Sequence, residues 1–298
     1  MTTTPIVNTL VVIGLGLIGG SLAAGIKAAG ACNQVVAVVR RRENADFALK
    51  KGIIDRFCLS IDEIAGELSA GDVIFIAVPA LSVKEVLLDI KKNVSESVTI
   101  TDATSAKGII VSAVTEVYGS IPDQFIPGHP IAGSEKNGIT AANSALYRNH
   151  RVILTPLPTT NSAHRVRVEK MWQAVGAEVL IMSVTEHDKV LAATSHLPHI
   201  IAYALVDTLC KDTHKETIFR CAAGGFRDST RIASSDPTMW HDIVLTNREA
   251  ILQSIDLFQD NLNSVRHAIE TQDSNYLLNV FTRAKGARDA FSKENDKK

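Results

Sequence analysis

A chain of 298 residues is long enough for two domains and a sizeable core, and 46% apolar residues with a formal net charge of -1 exclude a disordered chain and a basic nucleic-acid binder. Any anion site must therefore be built locally. Cys32, Cys58, Cys210 and Cys221 show no C-x-x-C spacing and read as free thiols of a reducing compartment; with no basic-apolar leader and no membrane span expected, the expected location is cytoplasmic.

In chain order, residues 9–13 form a β-branched run that leads into Gly14-Leu15-Gly16-Leu17-Ile18-Gly19 and then into helical spacing over residues 21–29. Strand, glycine turn and helix in that order are a dinucleotide fingerprint. Gly14 allows the tight turn, Gly16 lets backbone approach a pyrophosphate, Gly19 lets helix pack on sheet, and the amide groups at Leu17 and Ile18 open the helix toward the phosphates. A second strand is predicted over residues 34–39, ending in Arg40-Arg41-Arg42. An acidic residue there would hold the ribose 2′-hydroxyl of NAD; Arg40 and Arg41 suit a 2′-phosphate and point to NADP over NAD.

Further strands are predicted at residues 73–78, 98–101, 124–126, 151–154 and 178–182, with helices at 82–92, 107–118 and 163–175, which together predict a mostly parallel, doubly wound sheet of Rossmann type. Ligands in such sheets lie beyond the carboxyl ends of the strands. Three segments should meet there: Val78-Pro79, then Asp102-Ala103-Thr104-Ser105, then a Gly/Pro-rich turn, Gly128-His129-Pro130, with Glu135 a few residues on. Val78, Pro79 and Asp102 would flank the cofactor, while a neutral His129 could take the proton of a substrate hydroxyl as hydride leaves the same carbon, with Ser105 orienting it.

Beyond about residue 184 strand patterns stop, so residues 1–184 are read as the dinucleotide-binding domain and 185–298 as an all-α domain for substrate binding and dimerisation. His196 and His199 are three apart but lack a third metal ligand, and no metal is expected. Arg227 and Arg231 could grip a carboxylate through bidentate guanidinium geometry. Ser235-Asp236-Pro237 is a helix start, and from Trp240 to Ile269 apolar residues recur at steps of three and four, predicting one long helix that needs a partner to pack on.

Taken together, the motifs at residues 14–19, 101–108, 128–138, 195–199 and 228–240 resemble the prephenate and arogenate dehydrogenases of tyrosine biosynthesis. The resemblance implies oxidative decarboxylation of prephenate, or arogenate, with hydride transfer to NAD(P). It also implies that His129 contacts the ring hydroxyl with help from Ser105, that Glu135 joins an ionic network, that His199, Gly224 and Gly225 place the side chain, that Arg231 meets a carboxylate, and that Trp240 lines the pocket. Thr194 is not acidic, which favours prephenate, whereas Glu186 and Asp188 keep arogenate open. No fused chorismate mutase helix or separate amino-acid-sensing module is expected, so tyrosine feedback would act near the active site. The rival readings are another Rossmann-plus-helical enzyme, such as a β-hydroxyacid dehydrogenase or a pyrroline carboxylate reductase, and a non-catalytic NAD(P)-binding sensor.

Overall fold

The computed structural model describes residues 5–133 and 136–295. Alternating elements open the chain: β1 (Val7–Ile13), α1 (Leu17–Ala28), β2 (Cys32–Val38), α2 (Arg42–Lys50), β3 (Arg56–Cys58), α3 (Asp62–Ala65), β4 (Val73–Ile76), α4 (Val83–Asn93), β5 (Thr99–Asp102), α5 (Lys107–Tyr118) and β6 (Phe125–Ile126). These strands form a six-stranded parallel sheet in the order β3-β2-β1-β4-β5-β6. That is the Rossmann order, with its crevice where β1 and β4 diverge.

Both faces of the sheet are covered, so the central strands are apolar throughout rather than alternating. Along β1, Leu10 and Val12 enter the core beneath α1, while Val11 and Ile13 enter the opposite core beneath α4 and α5. Trp172 anchors the first core edge-on against Phe75 and Tyr147, at ring-centroid distances of 5.5 and 5.0 Å.

The chain then departs from a single doubly wound sheet. Residues 128–131, read from the sequence as a turn, form a strand, β7 (Gly128–Ile131), antiparallel to β8 (Arg151–Leu154). Across α6 (Ser162–Ala174), β8 pairs in parallel with β9 (Glu178–Ile181), so these three strands make a second sheet, β7-β8-β9. Pro130 is tolerated because β7 is an edge strand, where one amide donor can be missing. The short strand β3, not predicted, is likewise an edge.

Helices follow: α7 (Val184–Leu191), one π-helical stretch at residues 192–196, α8 (Leu197–Cys210), α9 (Lys215–Cys221), α10 (Gly224–Thr230), α11 (Pro237–Thr246), α12 (Arg248–Glu270) and α13 (Ser274–Asn295). The stretch Val184–Cys210 is long and apolar enough to cross a membrane by length and composition alone. It carries His187 and Asp188, however, which bind other parts of the chain as described below. The single helix predicted from residue 237 onward is in fact broken at Asn247. The Asn247 side chain leaves the helical pattern to donate to the Asp188 carbonyl at 2.9 Å and to His196 Nδ1 at 3.1 Å. By compactness the chain divides into residues 1–248 and 249–298, the latter comprising most of α12 together with α13 and exposing Leu257, Leu262, Leu278 and Phe281.

The two sheets are joined by a buried ion pair. Asp102, at the end of β5, and Lys107, at the start of α5, are both fully buried with Oδ2 and Nζ 2.6 Å apart. Gly128 is clamped between them: its N–H donates to Asp102 Oδ1 at 3.0 Å and its carbonyl accepts from Lys107 Nζ at 2.5 Å. Removing one partner of such a pair leaves a buried charge. We predict that Lys107→Met lowers unfolding free energy by about 3–5 kcal/mol, measured by chemical denaturation; a loss within experimental error would show that the clamp does not hold the fold.

Candidate active site

The glycine turn has the geometry the fingerprint requires. Gly14 has φ +98°, and a Cβ there would lie 2.4 Å from the Ala77 carbonyl oxygen; a Cβ on Gly19 would lie 2.1 Å from the Gly14 carbonyl oxygen. Only glycine fits at either position. A Cβ on Gly16 would meet nothing within 4 Å, so this backbone faces open space at the amino end of α1. Leu17 and Ile18 form the first turn of α1, and Tyr147 ties it down by donating to the Ile18 carbonyl at 2.6 Å.

Gly14, Leu15, Arg40, Arg41, Val78 and Pro79 line a cleft of about 610 Å³, which Ser60, Glu85 and Asp89 help to close. Its position over the crevice between β1 and β4 fits a dinucleotide. Arg40 pairs with Glu85 at 3.3 Å, with both side chains more than 70% exposed, so the pair is weak and displaceable.

Asp102 does not line this cleft. Its carboxylate is enclosed and engaged by Lys107, Gly128 and Thr104, the last through its backbone N–H at 2.8 Å and its hydroxyl at 2.5 Å. The expectation that its side chain meets the cofactor is corrected: it is an internal organiser. Burial pushes the Lys107 ammonium below its ordinary value against the attraction of Asp102.

One residue past the Gly128 clamp, His129 stands on the same carboxyl edge as the glycine turn, beside the end of β5. Its partner is not Ser105, whose hydroxyl makes no hydrogen bond among the described residues, but His187: Nδ1 of His129 lies 2.9 Å from Nε2 of His187. In turn His187 Nδ1 lies 2.8 Å from Asp188 Oδ1. The Asp188 carboxylate accepts the Lys107 and Gly108 amide N–H groups, each at 2.8 Å, and so caps the amino end of α5. Neither His187 nor this role of Asp188 was read from the sequence; an acidic residue beside a histidine has no motif that marks it. Asp188 thus serves the fold as a cap and a histidine partner, while Glu186 is exposed and the Thr194 hydroxyl donates to the Val190 carbonyl.

Burial holds His129 well below the ordinary histidine value, and neighbouring His187, Lys107 and His196 act in the same direction. His187 and His199 are lowered as well, chiefly by burial, and His196 is lowered to about 4. The four imidazoles form a chain of mutual influence: His196 feels His187 and His199, and His199 feels the Arg231 guanidinium. His199 donates through Nδ1 to the Ser195 carbonyl at 2.8 Å and stacks on Trp240, with ring centroids 3.7 Å apart. Trp240 is buried, so it serves packing as well as any pocket wall.

Arg231 is exposed, and Gly224 and Gly225 open α10 on the surface. Arg227, like Arg231, is an exposed side chain, and its guanidinium lies 3.8 Å from Asp228. Glu135 lies outside the described residues.

A dinucleotide fingerprint and a neutral imidazole on one sheet edge define a Rossmann-class dehydrogenase. Comparison with known proteins narrows this. Residues 22–181 match the nucleotide-binding domain of prephenate dehydrogenase, and residues 183–283 match its dimerization domain. The chain is 35% identical over 291 residues to the cyclohexadienyl dehydrogenase of Zymomonas mobilis, covering 96% of this chain and 97% of that one. It is 37% identical over 289 residues to the prephenate dehydrogenase of Bacillus subtilis, covering 95% of this chain and 76% of that one. Among solved structures, the Aquifex aeolicus prephenate dehydrogenase in complex with hydroxyphenyl propionate and NAD+ superposes with a TM-score of 0.88 at 34% identity, over 94% of this chain and 97% of that one. The chain belongs to the prephenate dehydrogenase family and is a nicotinamide-dependent oxidoreductase.

The depressed histidines have a consequence for stability. Unfolding returns them to an ordinary value near 6.5, so below that pH the unfolded chain binds more protons than the folded one. We predict full stability above about pH 6.5, falling as pH drops toward 4, with His196 alone accounting for about 3 kcal/mol. Denaturant titrations at about pH 7.5 and about pH 4.5 would test this, and equal unfolding free energies would contradict it.

Proposed function

We propose that the chain oxidises prephenate to 4-hydroxyphenylpyruvate and CO2, with His129 as the base, and that it does so in the cytoplasm. The observation that carries this reading is the placement of a neutral, half-buried imidazole, hydrogen-bonded to His187, on the same edge as the glycine turn. Gly14, Gly16 and Gly19 would hold a nicotinamide dinucleotide at this edge, and its oxidised ring would supply the acceptor for the hydride of the substrate's hydroxyl carbon.

His129 accepts the hydroxyl proton as the carbon–oxygen double bond forms. The ring carboxylate then leaves as CO2, its bonding electron pair completes the aromatic ring, and the phenolate oxygen takes the proton back from His129. The side chain thus returns to its neutral form each turnover. Arg231 and the amide groups at Gly224 and Gly225 hold the substrate side chain, Trp240 and His199 wall it, and Ser105 meets the hydroxyl. The commitment of Asp188 to α5 supports a keto acid over an amino acid as substrate, although the Zymomonas mobilis relative carries the broader cyclohexadienyl name. The apolar side chains exposed on α12 and α13 support a homodimer through the helical region.

His129→Asn should lower kcat with prephenate about 1,000-fold while leaving dinucleotide affinity within about two-fold. Turnover equal to the parent's would remove the histidine from the chemistry. Arg40 and Arg41, at the end of β2, favour a 2′-phosphate, since the Glu85 partner of Arg40 is readily displaced. Arg40→Asp should therefore reduce kcat/KM for NADP relative to NAD by about ten-fold or more; an unaltered ratio would show that position 40 does not choose the cofactor.

A further inference from the structure

We infer that His187, backed by Asp188, is the positioning residue that fixes which ring nitrogen of His129 carries its proton and so makes its Nε2 the base; this rests on the catalytic reading of His129 above. The amides of Lys107 and Gly108 have no carbonyl partner within α5, and both donate to the Asp188 carboxylate, which is thereby held as an anion that can only accept.

Direction then propagates through two rings. With Asp188 Oδ1 at 2.8 Å, Nδ1 of neutral His187 must carry the hydrogen, which leaves its Nε2 as a bare acceptor. That acceptor faces Nδ1 of His129 at 2.9 Å, so Nδ1 of His129 must donate, and its Nε2 is left with a lone pair. Nε2 of His129 makes no hydrogen bond among the described residues, which is what an atom awaiting a substrate proton requires. The reverse tautomers would set two lone pairs or two hydrogens against each other at one or both contacts.

The same contacts matter after proton transfer. An imidazolium at His129 meets burial, a charged His187, the Lys107 ammonium and the His196 ring, all of which oppose it, so His187 favours the cation only as a neutral acceptor. Around His187 the charged neighbours are Lys107 from α5, Asp102 from β5 and Asp188 from its own helix, and the other titratable rings facing the pair are His129 and His196. Among the described residues, only through His187 does an anion reach the transient charge by hydrogen bonds. His187 itself is buried on α7 and fully enclosed, so it acts on the reaction by way of His129 and does not meet the substrate.

The test compares the full chain with His187→Phe and His187→Gln. Phenylalanine removes the acceptor; glutamine returns a carbonyl oxygen near the Nε2 position but cannot relay the influence of Asp188. We expect kcat with prephenate to fall about 100-fold in His187→Phe and to be partly restored in His187→Gln, with KM and dinucleotide affinity within about three-fold of the parent. The acid limb of the kcat profile should shift in His187→Phe, because His129 loses both the hydrogen-bond acceptor that favours its cation and the neighbouring ring whose charge opposes it. A kcat within about three-fold of the parent in both folded variants, or a fall shared by KM with no movement of the acid limb, would overturn the proposal. Nitrogen NMR of the imidazoles in the parent chain reads the tautomer directly and needs neither turnover nor a folded variant: His129 should be the neutral Nδ1–H form, and finding the Nε2–H form would refute the proposal. If the parent fails to oxidise prephenate but shows the Nδ1–H form, the substrate reading is what fails.

Discussion

The ion pair between Asp102 and Lys107 is the interaction on which the site depends. Two fully buried charges are costly to desolvate and are tolerated only when their remaining hydrogen-bonding capacity is met. Here the surplus goes to the Thr104 N–H and hydroxyl and to both backbone groups of Gly128. A bare hydrophobic contact would resist separation of the two sheets but would not fix register along β7. The pair fixes it one residue before His129, so the position of the base is set by the backbone it grows from.

The same pair explains why α5 is shared between structure and chemistry. Lys107 reaches into the sheet through its side chain, while its backbone N–H, with that of Gly108, reaches Asp188 on α7. One helix start therefore joins the Rossmann sheet, the strand that carries His129 and the first helix of the following region. Asn247 extends the connection by bridging the Asp188 carbonyl and His196. The histidines lie along this line of polar contacts, and burial keeps them neutral. That serves a base and lowers stability in acid.

How much of the molecule is legible in its sequence varies with the range of the interactions. The glycine fingerprint is legible because the strand–turn–helix order and the contact of Gly19 with Gly14 are local, even though the carbonyl that crowds Gly14 belongs to Ala77 after β4. Lys107–Tyr118 is legible from its periodicity, and the observed helix has those bounds. The strand at residues 128–131 is not, because Gly-His-Pro-Ile lacks strand composition and forms only when β8 and the ion pair present partners to it. The helix break at Asn247 is hidden for a similar reason. Apolar spacing continues across it, and only the tertiary hydrogen bonds of its side chain favour the break.

The sequence by itself determined the Rossmann βαβ series, the cofactor turn and the identity of the candidate base, since each follows from residue type and short spacing. Only the tertiary structure decided that the Asp102 carboxylate is enclosed, that Arg227 lies beside Asp228 on the surface, and that His129 is hydrogen-bonded to His187. The physical reason is distance along the chain: His129 and His187 are 58 positions apart, and Lys107 and Asp188 are 81 apart. Hydrogen bonds over such separations leave no periodic or local trace in a sequence, because the partners are brought together only by the packing of the elements that carry them.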